Sequence, residues 1–231
     1  DLIIVNSDVG SKEGNAFINE LNNKEINDGK LFSFTRKNVG LSYGAYSDAF
    51  LKFRENYDFF LFIEDDLITA KKNYLKIGYE KWLQTKNCGF VAYYGLSKVK
   101  KGWWKKAGLN ETNALSAYSG CGLSSKKVLN KIVDQFGTLP HNNKNIDHED
   151  SIAYGELGFS KSIINLGYEL TELKKEILVM PAYDMMRGIN YKKYPSFLEK
   201  YLWLIKSYIY SIISKSPLLL KYYLKLLKKL K

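Results

Sequence analysis

Arginine is nearly missing from this chain: Arg36, Arg54 and Arg187 are the only three among 35 basic residues. Arginine is the usual bidentate reader of guanine and phosphate, so sequence-specific nucleic-acid binding is not expected. Cysteine is scarcer still. Cys88 and Cys121 cannot build a disulfide framework and lack metal-site spacing. Each reads as a small buried hydrophobe, and a reducing, cytoplasmic setting is expected. No basic, apolar leader with a small-residue end precedes the first hydrophobic run, so no signal peptide is read. Long uncharged runs are lacking near the end of the chain, where only eight residues separate Lys206 from Lys215. That is too few to cross a bilayer.

What is present is a core. Hydrophobic residues make up 45% of 231 and aromatics 15%, which excludes disorder and allows one α/β domain plus an appendage. The net charge of +11 is unevenly placed. Residues 188–231 hold ten lysines against one glutamate, whereas residues 1–187 hold 25 basic and 23 acidic residues. A nearly neutral body, residues 1–190, is therefore expected to carry a basic tail, residues 191–231.

Along the body, short apolar runs alternate with helical spacing. Leu2–Asn6 reads as a buried strand feeding a turn at Ser7–Ser11, and residues 13–26 as a helix. Leu31–Phe34 reads as a strand, Asn38–Gly40 as a turn and Ser42–Phe53 as a helix. Asp58–Ile63 is apolar on both faces and reads as a central strand. A helix over 73–84, a strand over 89–94, a tight turn or close-approach loop at Ser119–Gly122, and helices over 124–136 and 147–157 follow. Strands separated by helices imply a mostly parallel sheet covered on both faces.

The central strand stops at Glu64-Asp65-Asp66. Adjacent carboxylates repel and resist burial unless a cation meets them. In parallel α/β sheets ligands bind beyond the carboxyl ends of strands. A hard divalent cation, Mn²⁺ or Mg²⁺, suits such a cluster; an acidic loop or a helix N-cap is the plainer use of it. Trp103 and Trp104, in a polar stretch, suit either an acceptor platform for sugar rings or a loop docked on the core.

Here a resemblance enters. Phe62-Ile63-Glu64-Asp65-Asp66-Leu67 resembles the metal motif of GT-A fold glycosyltransferases, in the form of the N-acetylglucosaminyltransferase I type and compatible with bacterial family 2. Ile3–Ser11 is similar to that family's strand ending in an acidic turn. Asn38–Ala45 resembles its Asn-x-Gly stretch, and His148-Glu149-Asp150 its later Glu-Asp pair. The four occur in the family's order over roughly residues 2–160. The resemblance implies a GT-A, Rossmann-like domain in which Asp66 is the main metal ligand, assisted by Glu64. It places Asp8, Asn38, Gly40 and Asp65 at the nucleotide, Asp150 as catalytic base, and Glu149 at the acceptor with Trp103 and Trp104. A UDP-sugar donor is favoured because such donors are common in the family. The family begins with a further strand and helix ahead of the one matching Leu2–Asn6. This chain has no counterpart for them, so a fragment is expected. With one base candidate, direct displacement and inversion are expected.

The tail reads as two amphipathic helices broken at Ser216-Pro217. Leu198, Leu202, Ile205 and Ile209 lie near one face of the first, and five lysines fall in Leu218–Lys231. Such a segment is expected to lie on the anionic cytoplasmic face of a membrane, or to dock on the body or a partner chain. A lipid-linked acceptor, as in bacterial surface-glycan assembly, is what the family analogy adds. Two other functions stay open: a nucleotidyl- or phospho-transferase with the same carboxylate–metal logic, and a non-catalytic membrane-surface adaptor.

Overall fold

The computed structural model describes residues 1–8, 10–27, 29–65, 68–69, 73–98, 115–117, 120–144, 148–173, 178–179 and 222. The expectations that fall on Asp66, on Trp103 and Trp104, and on all of the tail but Tyr222 lie outside the described residues. The chain divides into two compact units. One is Asp1–Glu64 with Leu75–Leu173, the other Asp65–Tyr74 with Lys174–Lys231.

The first unit opens with β1 (Leu2–Asp8), whose apolar, β-branched run pairs in parallel with β3 (Gly29–Lys37). Between them α1 (Lys12–Leu21) starts at Ser11, whose hydroxyl accepts from the Gly14 amide. The helix expected over 13–26 ends early. Asn23 is left-handed (φ 64°), and the Asn22 side chain instead accepts from the Ser33 amide at 3.0 Å. The chain then runs as β2 (Lys24–Ile26), antiparallel to β3. Asparagine tolerates the left-handed region and competes for backbone bonds, which ends the helix here.

Next come α2 (Leu41–Phe53) and β4 (Phe59–Phe62). In the second unit β5 (Ile68–Thr69) pairs antiparallel with a late strand, Leu178–Val179. The chain continues through α3 (Tyr74–Gln84), β6 (Cys88–Ala92) and an antiparallel pair, β7 (Leu96–Lys98) with β8 (Leu115–Ala117). β9 (Gly122–Ser125) leads into α4 (Lys126–Phe136), which Ser125 caps and which Gly137 ends at φ 78°. A helical turn, His148–Asp150, passes into a π-helix, Ser151–Leu157, then α5 (Gly158–Asn165) and β10 (Glu169–Glu172).

The second sheet has the order β10-β6-β9-β4, with β10 parallel to β6 and β9 antiparallel to both its neighbours. The fold is mixed α/β. Among the described strands two pairs are parallel and five antiparallel, which corrects the mostly parallel sheet expected. The largest source of that difference is β9. Its Gly-Leu-Ser-Ser sequence carries no strand signal, yet it fills the space between two apolar strands, where the Ser124 hydroxyl donates to the Gly89 carbonyl at 2.7 Å.

β4, expected to be central, is an end strand of its sheet among the described residues. Its two apolar faces have another cause. Phe60 and Phe62 pack on Phe50 and Tyr46 of α2, while Phe59 meets Tyr79 and Trp82 of α3. Helices cover both faces, so both must be apolar. The aromatic layer continues through Phe90 and Phe159. Cys88 and Cys121 are both buried and form no disulfide, as their number suggests. Phe50 is fully enclosed at the centre of this layer. Phe50→Ala is expected to cost about 3–5 kcal/mol in urea unfolding of the full chain. A loss below about 1 kcal/mol would show that this ring is not packed as described.

Candidate functional site

The carboxyl ends of β1 and β3 lie in register, Ser7 opposite Arg36 and Asp8 opposite Lys37. Asp8 is exposed, and its Oδ1 accepts from the Gly10 amide (2.7 Å) and from Asn15 Nδ2 (3.0 Å). The Asn15 bond first, and the Gly10 amide second, hold this carboxyl below its usual range. Asn15 is itself fixed by Asn6, whose Nδ2 donates to it at 2.7 Å.

Arg36 was not singled out by sequence. Its guanidinium is only 10% exposed and ties three elements: Nε donates to Asp48 of α2, Nη2 to the Val39 carbonyl (2.8 Å) and Nη1 to Ser7 Oγ (3.5 Å). The Val39 bond shapes the Asn38–Gly40 turn. Asn38 Oδ1 is shielded from solvent and accepts no hydrogen bond from the described residues. A buried acceptor left in this state invites a donor from a ligand or water.

Gly40 and Leu41 are both left-handed, at φ 73° and 48°. Only glycine fits at position 40: a Cβ there would lie 2.6 Å from His141 Cδ2 and 2.9 Å from the Asn142 carbonyl oxygen. The loop after α4 therefore presses against this turn. Within that loop His141 Nδ1 bonds the Leu139 carbonyl at 2.8 Å, and Asn142 Nδ2 donates to Asp150 Oδ2 at 2.9 Å. The structure thus brings Gly40 and Asp150, distant in sequence, to the two sides of one short loop. Asp150 is half-buried and Glu149 exposed.

Asp150 opens onto the π-helix, a form concentrated at functional sites. Within it a Cβ on Gly155 would stand 2.6 Å from the Tyr43 ring, so α2 and the π-helix meet closely there. Glu156 accepts from Ser116 Oγ at 2.8 Å. Burial first, then the carboxylates of Glu156 and Glu64, push the Tyr43 hydroxyl well above the usual phenol range. Burial first, then Cys121 and Glu64, raise the Tyr46 hydroxyl as well. Glu64, two residues beyond β4, thus shares an electrostatic neighbourhood with Tyr43 and Glu156.

Of the residues expected at a site, Asn38, Gly40 and Asp150 come together. Asp8 sits at the adjoining strand end, Glu64 lies near Tyr43, and Asp65 is exposed in the turn beyond β4. Asp66, Trp103 and Trp104 lie outside the described residues, as does the His148 side chain. Among the described residues no group of three histidine, cysteine or acidic side chains is placed to hold a metal ion. Sequence reasoning missed Arg36, Tyr43, His141, Asn142 and Glu156. Only Arg36, by its rarity, offered a signal. A depression of about 340 Å³ lined by Trp82, Thr85, Asn87, Lys127 and Tyr168 lies at the amino end of β6, away from these groups. Neither a protein-family model nor a curated protein matches this chain.

Because Asp8 titrates below its usual value in the folded chain, its contribution to stability is present above the unfolded carboxylate pKa and fades as pH falls through the folded one. Asn15→Ala removes the leading cause. A carboxyl NMR titration is expected to show Asp8 rising toward an ordinary aspartate in that variant; an unmoved titration would remove Asn15 as the cause.

Proposed function

We infer that this chain is the catalytic part of a metal-dependent glycosyltransferase of GT-A type, which moves a sugar from a nucleotide-sugar to an acceptor hydroxyl. The observation that carries this reading is the convergence of the Asn38–Gly40 turn and Asp150 on the His141–Asn142 loop. One of these motifs is expected at the nucleotide and the other at the acceptor, and group transfer needs the two substrates side by side.

Glu64 lies two residues beyond β4 and is followed by two further carboxylates. Carboxylate oxygens suit Mn²⁺ or Mg²⁺, so Glu64 and Asp66 are the proposed holders of the ion. When bound, the ion supplies Lewis-acid neutralisation of the departing diphosphate. The chain's own groups do the rest. Asp8 and the shielded Asn38 oxygen accept hydrogen bonds from the nucleoside, with Asp65 proposed beside the nucleotide. Asp150 takes the acceptor proton as the hydroxyl attacks the anomeric carbon opposite the leaving group, which inverts that centre. Glu149, Trp103 and Trp104 are the proposed acceptor contacts. UDP-sugars are the favoured donors.

The full chain with Mn²⁺ is expected to hydrolyse or transfer from at least one of UDP-glucose, UDP-galactose, UDP-N-acetylglucosamine, GDP-mannose and dTDP-rhamnose. Asp66→Asn and Asp150→Asn should each lower turnover by about 10²-fold or more, with UDP binding kept in Asp150→Asn. Undiminished turnover in chelator would refute the metal role. Turnover of nucleoside triphosphates with none of nucleotide-sugars would favour a nucleotidyl- or phospho-transferase.

No helix among the described residues is long and apolar enough to cross a membrane. The basic, amphipathic sequence of residues 191–231 supports a peripheral site on an anionic cytoplasmic membrane surface, where a lipid-linked acceptor would be met. Co-sedimentation with phosphatidylglycerol vesicles is expected to weaken steeply with salt. It should vanish when Lys221, Lys225, Lys228 and Lys229 are changed to glutamine. Equal binding to neutral phosphatidylcholine vesicles would overturn that reading.

A further inference from the structure

We propose that Asn142 is the positioning residue for Asp150: its amide holds one carboxylate oxygen and aims the group for proton transfer. This inference rests on the role proposed for Asp150 and goes one residue further. The Asn142 amide nitrogen donates to Asp150 Oδ2 at 2.9 Å, and both residues are half-buried. In general a donor to a carboxyl favours its charged form, so removing such a donor is a change that a titration can read. The Asn142 bond also leaves the carboxylate one fewer rotation to explore, and a proton acceptor works only in a narrow arc of directions.

Asn142 is itself held. Its carbonyl oxygen and the neighbouring His141 ring pack against the Gly40 turn at distances that leave no room for a Cβ. His141 is fixed through Nδ1 to Leu139, and the Asn142 Oδ1 accepts from the Lys144 amide at 2.9 Å, which closes the loop on itself. The turn proposed to meet the nucleotide and the side chain that aims the base are therefore two sides of one rigid bracket. Among the described residues, the titratable groups on the neighbouring elements include Glu149 on the same helical turn, Tyr154 and Glu156 on the π-helix, His141 and Lys144 on the loop, and Tyr43 on α2.

The test uses the full chain and two variants. Asn142→Leu keeps the volume and removes the donor, whereas Asn142→Asp keeps the shape and adds a like charge. Carboxyl-detected NMR, with Asp150→Asn for assignment, reads the Asp150 titration directly. The pH dependence of kcat/KM is read in parallel, on whichever sugar nucleotide of the panel above is hydrolysed. Asp150 is expected to titrate about one pH unit higher in Asn142→Leu, and higher still in Asn142→Asp. The acidic limb of kcat/KM should move by the same amount, a loss of about tenfold at pH values below it. The donor KM should stay unchanged. An unmoved Asp150 titration in both variants would overturn the role of Asn142 and leave the base untouched. A titration that moves while the kinetic limb stays put would overturn positioning for catalysis, and with it Asp150 as the base.

Discussion

Two consecutive left-handed residues carry the chain from the end of β3 into α2, and the neighbouring elements are arranged to keep them so. For Leu41 that conformation costs on the order of 1 kcal/mol, because its Cβ crowds the following carbonyl. The offset is visible around it. Arg36 holds the Val39 carbonyl, the Gly44 amide bonds the Gly40 carbonyl at 3.0 Å, and the His141–Asn142 loop fills the space a side chain on Gly40 would have taken. Remove that reversal and α2 no longer enters at the angle that packs Tyr46 and Phe50 on β4. The strained turn thus lies upstream of both the aromatic core and the site, which fits the general finding that strain persists where surroundings over-determine it.

What could be read from sequence follows from how local each signal is. The cores of α2, β4 and α3 were legible because their apolar spacing is strong and uninterrupted. β2 was not, since its identity is set by two asparagines that stop a helix whose apolar period continues through Ile26. Nor was β9: Gly122 to Ser125 would suit a turn equally well, and only the strands on either side make it extended. The π-helix likewise has no periodic signature of its own. The Asn38–Gly40 turn and Asp150, which meet one loop, were picked out through their resemblance to an ordered set of motifs. Asn142 was not, because an asparagine in a polar loop is ordinary until the fold places its amide beside a carboxylate. Arg36 is similar: a lysine-rich chain spends one of its three arginines where a planar, five-donor group must serve a helix, a turn and a strand together.

The acidic groups near the end of β4 form a pattern that no single motif conveys. Glu64 follows β4 by two residues and Glu156 comes from the π-helix, yet both act on the buried Tyr43 hydroxyl. That hydroxyl has no hydrogen-bond partner among the described residues and sits where a Cβ on Gly120 would be only 2.1 Å away. Burial and negative neighbours push it in the same direction, toward the neutral phenol. Tyr43 therefore stays a neutral hydrogen-bond donor at any pH at which a carboxylate such as Asp150 acts as a base. Proton uptake is thereby left to the carboxylates, among them Asp150, whose Oδ2 accepts from the Asn142 amide. For the base role proposed above, an amide orients the carboxylate while leaving it able to accept a proton, which is the compromise general-base catalysis requires.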